Sequence, residues 1–208
     1  MTRGLLLVVA TLAASPLAAQ DPVRVGIDYR PGIRPRVVIL PAVGLDSVRS
    51  IVGRDLDYSD RFEVVVLPQA EPAASPLLGG QPPALNYELY RSLSASWAVQ
   101  LERAAGGMAL TVRLHDLTAD VVRRDTTLAV DISGAGEGRM DLHRLSDALV
   151  EWISGQRGIA ATRFLYVERG SQRIHRVDSD GHAVVPMSPG GATALAPQWS
   201  PDGSKFTY

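Results

Sequence analysis

The chain has 208 residues, 46% hydrophobic and 21% charged, with a formal net charge of -1 and no cysteine. That is enough apolar material for one ordinary core plus a smaller appended element, and the interspersed Arg and Asp/Glu create no long-range field for nucleic acid or an acidic membrane. The missing cysteine excludes a disulfide scaffold, a thiolate metal site and a lipidated N-terminal cysteine.

Residues 1–19 read as a secretory signal: Arg3 is the positive end, Leu5–Ala10 and Leu12–Ala14 the apolar run, and Ser15-Pro16 with Ala18-Ala19 the small-residue cleavage end. A membrane-spanning helix needs roughly 20 apolar residues, more than this run provides. Cleavage after Ala19 predicts an exported, unanchored mature chain in a bacterial periplasm, with net charge -2 because Arg3 leaves. Residues 20–33 read as an extended segment. Val23, Val25 and Ile27 alternate there with Arg24, Gly26 and Asp28, a pattern that also suits an edge strand of the following domain.

Arg36–Pro41 is a short apolar run of buried-strand type, and Leu45, Val48, Val52 and Leu56 follow at helical spacing. Phe62–Leu67 is β-branched and ends at Pro68, which predicts a second buried strand and a β-α-β start. Pro68–Pro83 holds five prolines and predicts a loop. After a short helix over Tyr87–Leu93 the period changes to two. Trp97, Val99 and Leu101, then Met108, Leu110, Val112 and Leu114, alternate with mostly polar residues around the turn Gly106-Gly107, and Leu128, Val130 and Ile132 predict a third antiparallel strand. Gly134–Gly138 reads as a flexible loop. Asp141–Ile153 is an amphipathic helix with Leu142, Leu145, Leu149, Trp152 and Ile153 on one stripe, stopped by Gly155. The predicted fold over 34–161 is an α/β domain with helices packed on a mixed sheet.

From Thr162 the pattern becomes short strands with tight turns: Phe164–Glu168, Arg173–Val177, the turn Asp178-Ser179-Asp180-Gly181, and Ala183–Pro186. The run Trp199-Ser200-Pro201-Asp202-Gly203 places Pro at the first corner of a turn and Gly where positive φ follows. Such hairpins recur in β-propeller blades, which close with roughly 4 to 8 four-stranded blades of about 40 to 45 residues. Residues 162–208 amount to about one blade, so the chain reads as the front end of a longer protein, and residues after Val167 are expected to be weakly protected without neighbouring blades.

The residues assemble no catalytic set. Gly134-Ala135-Gly136-Glu137-Gly138 has Arg139 where a dinucleotide loop needs glycine. His115, His143, His175 and His182 fall on different predicted elements without metal-ligand spacing. Asp178-Ser179-Asp180-Gly181 is too short for a calcium loop, and a G-x-S-x-G nucleophile elbow is missing.

Four stretches together resemble the TolB family of periplasmic proteins: Val23–Asp28, Arg34-Pro35 ahead of Val37–Pro41, Gly155 through Gly158 to Thr162–Val167, and Trp199–Lys205. The last is shared with many propellers; the conjunction is more specific. The resemblance implies an interaction protein of the Tol-Pal envelope system, supporting outer-membrane integrity and cell division, with neither catalytic activity nor a cofactor. It implies that TolA binds the N-terminal segment, here Val23, Arg24, Val25, Gly26, Ile27 and Asp28, and that Pal binds the propeller. The competing reading is the front end of an exported propeller-bearing serine peptidase whose catalytic domain lies beyond Tyr208.

Overall fold

The computed structural model describes residues 34–69, 85–105, 109–132, 136–191 and 193–208. The signal at 1–19, the segment at 20–33, residues 70–83 of the proline-rich stretch and the turn Gly106-Gly107 lie outside the described residues. Arg34–Tyr208 form one compact unit.

The unit is built on a five-stranded mixed sheet of order β2-β1-β3-β4-β5. β1 (Arg36–Ile39) pairs in parallel with β2 (Glu63–Val66) on one side and with β3 (Trp97–Arg103) on the other. From β3 the sheet continues antiparallel through β4 (Leu110–Asp116) to β5 (Val121–Leu128). The parallel part needs a covering connection between β1 and β2, and α1 (Asp46–Tyr58) supplies it. α3 (Gly136–Ser154) packs beside α1. Their apolar stripes, Val48, Ile51, Val52 and Leu56 with Leu142, Leu145 and Leu149, close one face of the sheet over Val37, Ile39, Val99, Leu101, Val112 and Leu114. On the other face Val38, Leu40, Ala98 and Leu117 are covered by Tyr87 and Tyr90 of α2 (Tyr87–Ser92). The rest of that face is a polar ladder. Arg113 donates to Glu102 and Asp125, Thr111 meets Thr127 at 3.0 Å, and His115 bridges Tyr87 and Gln100.

One buried cation organises the ends of the parallel strands. Arg49 of α1 donates from Nε to the Leu40 carbonyl at 2.8 Å and from Nη2 to the Leu67 carbonyl, so the helix holds the chain as it leaves both β1 and β2. Without such a donor those buried carbonyls would lack partners.

Two expectations are corrected. The third antiparallel strand runs over Val121–Leu128, not around Leu128–Ile132. The Asp116 carboxylate accepts from the backbone of Thr118 and Ala119, and Asp120 takes a positive φ of 57°, so the chain reverses at once and pairing starts at Val121. Val130 and Ile132 still pack on the core, but from beyond the strand. Helix α3 also begins earlier than Asp141. Residues 136–138, read as loop, form its first turn, and Gly138 is needed there because a Cβ would meet the Asp131 carboxylate at 2.6 Å.

C-terminal to α3, β6 (Arg163–Val167), β7 (Ile174–Asp178) and β8 (Val185–Pro186) form a three-stranded antiparallel sheet. β9 (Gln198–Trp199) and β10 (Phe206–Thr207) form a separate hairpin, with Trp199 edge-on to Phe206 and Gly203 at φ 68° in the turn. Both sheets are open.

Gly53 shows how closely α1 lies on the sheet: a Cβ there would come within 2.7 Å of Val66 Cγ2 and 3.3 Å of Ile39 Cδ1. Replacing Gly53 with valine is expected to cost about 1–3 kcal/mol through overpacking, read as a lower urea midpoint at unchanged m-value.

Candidate functional site

α3 carries two stripes. Besides the apolar one, Arg139, His143 and Asp147 recur at four-residue intervals and therefore share a face, which turns toward the C-terminal sheet. Facing them from α1 are Arg54 and Asp55, and from the far side the tight turn after β7. In that turn Gly181 adopts φ 84° and its N–H donates to the Asp178 carbonyl at 2.9 Å, which aims the Asp180 side chain back at the two helices.

Asp180 is the centre of the junction. Its Oδ2 accepts from Arg54 Nη2 at 2.6 Å and from Arg139 Nε at 2.6 Å and Nη2 at 2.5 Å, with His143 Nε2 at 3.3 Å. Its Oδ1 accepts the His182 backbone N–H at 3.0 Å. On its other side His143 places Nδ1 2.7 Å from Asp55 Oδ2. The Asp180 side chain is 2% exposed and that of His143 is wholly buried. Burial alone would raise the Asp180 pKa, but the Arg139 hydrogen bond, the His182 backbone N–H and the Arg139 and His143 charges hold it down to about 2.

The connecting chain is fastened next to this centre. The Asp147 carboxylate accepts from the backbone N–H groups of Ala160 and Ala161 at 2.6 and 2.9 Å, and a side chain at Gly158 would overlap it. Ser179 donates from its hydroxyl to the Ala160 carbonyl and from its backbone N–H to the Thr162 carbonyl. Arg163 reaches both Asp178 and, across to α3, Glu137. Beside these contacts opens a mainly apolar cleft of roughly 170 Å³, walled by Tyr58, Val150, Ile159 and Phe164, with Tyr58, Ile159 and Phe164 strongly exposed. An apolar cleft rimmed by carboxylates that are already hydrogen-bonded suits a protein contact better than acid–base chemistry, which needs a poised, accessible group.

Val23, Arg24, Val25, Gly26, Ile27 and Asp28, the expected partner-binding residues, lie outside the described residues. The four histidines are not grouped, although His143 and His182 both approach Asp180. Among the described residues no set of three His, Asp or Glu side chains is arranged to hold a metal ion, and no helix is long and apolar enough to cross a membrane. Sequence reasoning gave Arg139, His143 and Asp147 no role. The available signal was their spacing: three polar residues four apart mark a second face with its own partner.

The architecture is thus a mixed α/β layer joined to a β-rich C-terminal part. The chain is 29% identical over 184 residues to the Tol-Pal system protein TolB of Xanthomonas oryzae pv. oryzae strain PXO99A, a match covering 83% of this chain and 40% of that relative. It is likewise 29% identical to the Tol-Pal system protein TolB of Xanthomonas euvesicatoria pv. vesicatoria strain 85-10, over 78% of this chain and 37% of the relative. The crystal structure of TolB from Acinetobacter baumannii superposes with a TM-score of 0.66 at 22% identity, covering 85% of this chain and 44% of that one, which shows a shared fold. No protein-family profile matches the chain. The chain thus resembles TolB in sequence and in fold, and it spans about two fifths of the length of the curated relatives it matches.

Because removing one member of a buried ion cluster strands the others, Asp180→Ala is expected to destabilise the unit by about 3–5 kcal/mol, measured by urea unfolding. The same carboxylate predicts an acid transition. Its folded pKa of about 2 lies below the ordinary 3.8, so its contribution is present above the ordinary value and is lost as pH falls toward the folded one. Asp180→Asn should flatten the loss of stability expected of wild type between those two values in an acid titration followed by circular dichroism.

Proposed function

We propose that this protein is a non-enzymatic interaction protein of the Tol-Pal envelope system, acting in the periplasm after export and supporting outer-membrane integrity and cell division. The observation that carries the reading is the TolB likeness over about four fifths of the chain, joined by the shared fold and by an export signal of the right order. The same likeness favours this reading over the propeller-bearing peptidase.

The proposed division of labour follows the chain. Residues 1–19 direct export and residues 20–33 form an extended partner-binding segment. Residues 34–161 are the α/β domain, and 162–208 begin a β-propeller. Val23–Asp28 bind TolA by adding a strand, with main-chain hydrogen bonds giving affinity and Val23, Val25 and Ile27 filling pockets on one side. Pal is bound by the propeller of the longer protein, so residues 1–208 keep the first activity and lack the second. Neither a cofactor nor a metal takes part.

Calorimetry tests this directly. The 208-residue chain is expected to bind TolA but not Pal, and removal of residues 21–29 to abolish TolA binding while the unfolding transition of the 34–208 unit stays in place. Undiminished TolA binding by the deletion, or Pal binding by the chain, would overturn the assignment.

A further inference from the structure

His143 lies at the one point where α1, α3 and the β7 turn meet through charge. It is wholly buried and stands between two carboxylates from distant parts of the sequence, with Nδ1 2.7 Å from Asp55 Oδ2 and Nε2 3.3 Å from Asp180 Oδ2. A carboxylate only accepts, so Nδ1 carries the proton in its short bond to Asp55. A neutral imidazole has one N–H and one lone pair. The neutral ring therefore turns a lone pair on Nε2 toward the Asp180 oxygen, and that nitrogen has no aligned hydrogen-bond partner. Protonation puts a positive charge on the ring and turns the same 3.3 Å approach into a coulombic attraction between His143 and Asp180.

We propose that His143 is a proton-sensitive latch: protonated, it holds the Ser179–His182 turn onto the α1–α3 layer, and neutral, it opposes Asp180 and loosens the docking of the C-terminal sheet.

The surrounding charges set the direction. α1 contributes Asp55 and Arg54; α3 contributes Arg139 one turn before His143 and Asp147 one turn after, the latter engaged by Ala160 and Ala161. The loop before α3 brings Asp131 against Gly138. The β7 turn contributes Asp180 and His182, whose Nδ1 is 3.4 Å from Asp180 Oδ1. Burial pushes the His143 pKa down, but the hydrogen bond to Asp55 and the negative charges of Asp55 and Asp180 outweigh it against the opposing Arg139 charge, and the net shift is upward. A raised folded pKa gives stabilisation that is complete below the unfolded value of 6.5 and lost as pH rises through the folded one. Asp180, held at about 2, stays ionised throughout that range. Arg54 and Arg139 keep donating to it in both states, so deprotonation loosens the junction without dissolving it. Each unit by which the docked pKa exceeds the undocked one changes the docked-to-undocked ratio about tenfold across the transition.

Two measurements on the 208-residue chain test the latch. In an NMR titration of the histidine rings, assigned with His143→Gln, the His143 ring is expected to titrate above 6.5. Hydrogen exchange at the Ser179 amide, corrected for intrinsic rates, is expected to lose protection about tenfold or more between about pH 6 and about pH 8.5 in wild type. The loss should persist in His182→Gln and vanish in His143→Gln. A His143 ring titrating at or below 6.5, or equal pH dependence of Ser179 protection in wild type and His143→Gln, would overturn the proposal. Should His143→Gln fail to fold, the wild-type ring titration, assigned instead by its contacts to Asp55, decides alone.

Discussion

A buried carboxylate, Asp180, stands at the centre of the joint between two layers of this protein. In a low-dielectric site an unpaired charge is so costly that it would neutralise or move to water, yet Asp180 stays ionised because two guanidinium groups and an imidazole converge on it. The converse holds too. His143 is buried and Arg139 largely so on α3, and their burial is tolerable only with the turn seated. Burial and pairing therefore demand each other, and the C-terminal sheet has one place on the helical layer where both are satisfied. That requirement fixes the connecting chain as well, since residues 155–162 must run past Asp147 closely enough for its carboxylate to reach two backbone N–H groups.

The sheet beneath makes this possible by being stiff on one side and wet on the other. α1 and α3 lie against the same apolar face, so the polar edges of both helices meet along one line above it. Arg54 and Asp55 then stand opposite Arg139 and His143 without extra loops. The opposite face shows a different economy: from β3 to β5 the outward side chains pair with one another across strands, as Arg113 does with Glu102 and Asp125. Burial of His115, together with the nearby Arg113 charge, lowers its pKa and favours the neutral ring that links Tyr87 to Gln100. Two buried histidines thus have opposite protonation tendencies: at His143 the Asp55 hydrogen bond and the Asp55 and Asp180 charges outweigh burial, whereas at His115 burial and the Arg113 charge outweigh Asp125 and Glu102.

The junction also places the exposed apolar residues. Tyr58 ends α1, Ile159 lies in the connection and Phe164 is on β6; only docking of the turn gathers them around one cleft. The cleft is mainly apolar, and its rim carboxylates Asp147 and Asp180 are already hydrogen-bonded within the junction.

Local periodicity determines much of this protein. The buried strand at Val37–Ile39, the existence of a strand at Val64–Val66 (which lies half-exposed at the sheet edge rather than buried as expected), the helical stripe of α1, the alternation through Trp97–Leu101 and Leu110–Leu114, and the turn at Pro201–Gly203 all follow from local rules, because each depends on which face of one element is apolar or on which residue tolerates a turn. The start of β5 was not legible, since Val121–Leu128 is an exposed edge strand without alternation and its position is set by the Asp116 turn. Nor was the role of Asp180. Read locally, Asp178-Ser179-Asp180-Gly181 is a hairpin turn, and it is one. Its carboxylate becomes the centre of the fold only because tertiary packing brings Arg54 and Arg139, 126 and 41 residues away, to the same oxygen. Electrostatic pairing across such separations leaves no period in a sequence, so the structure alone decided it.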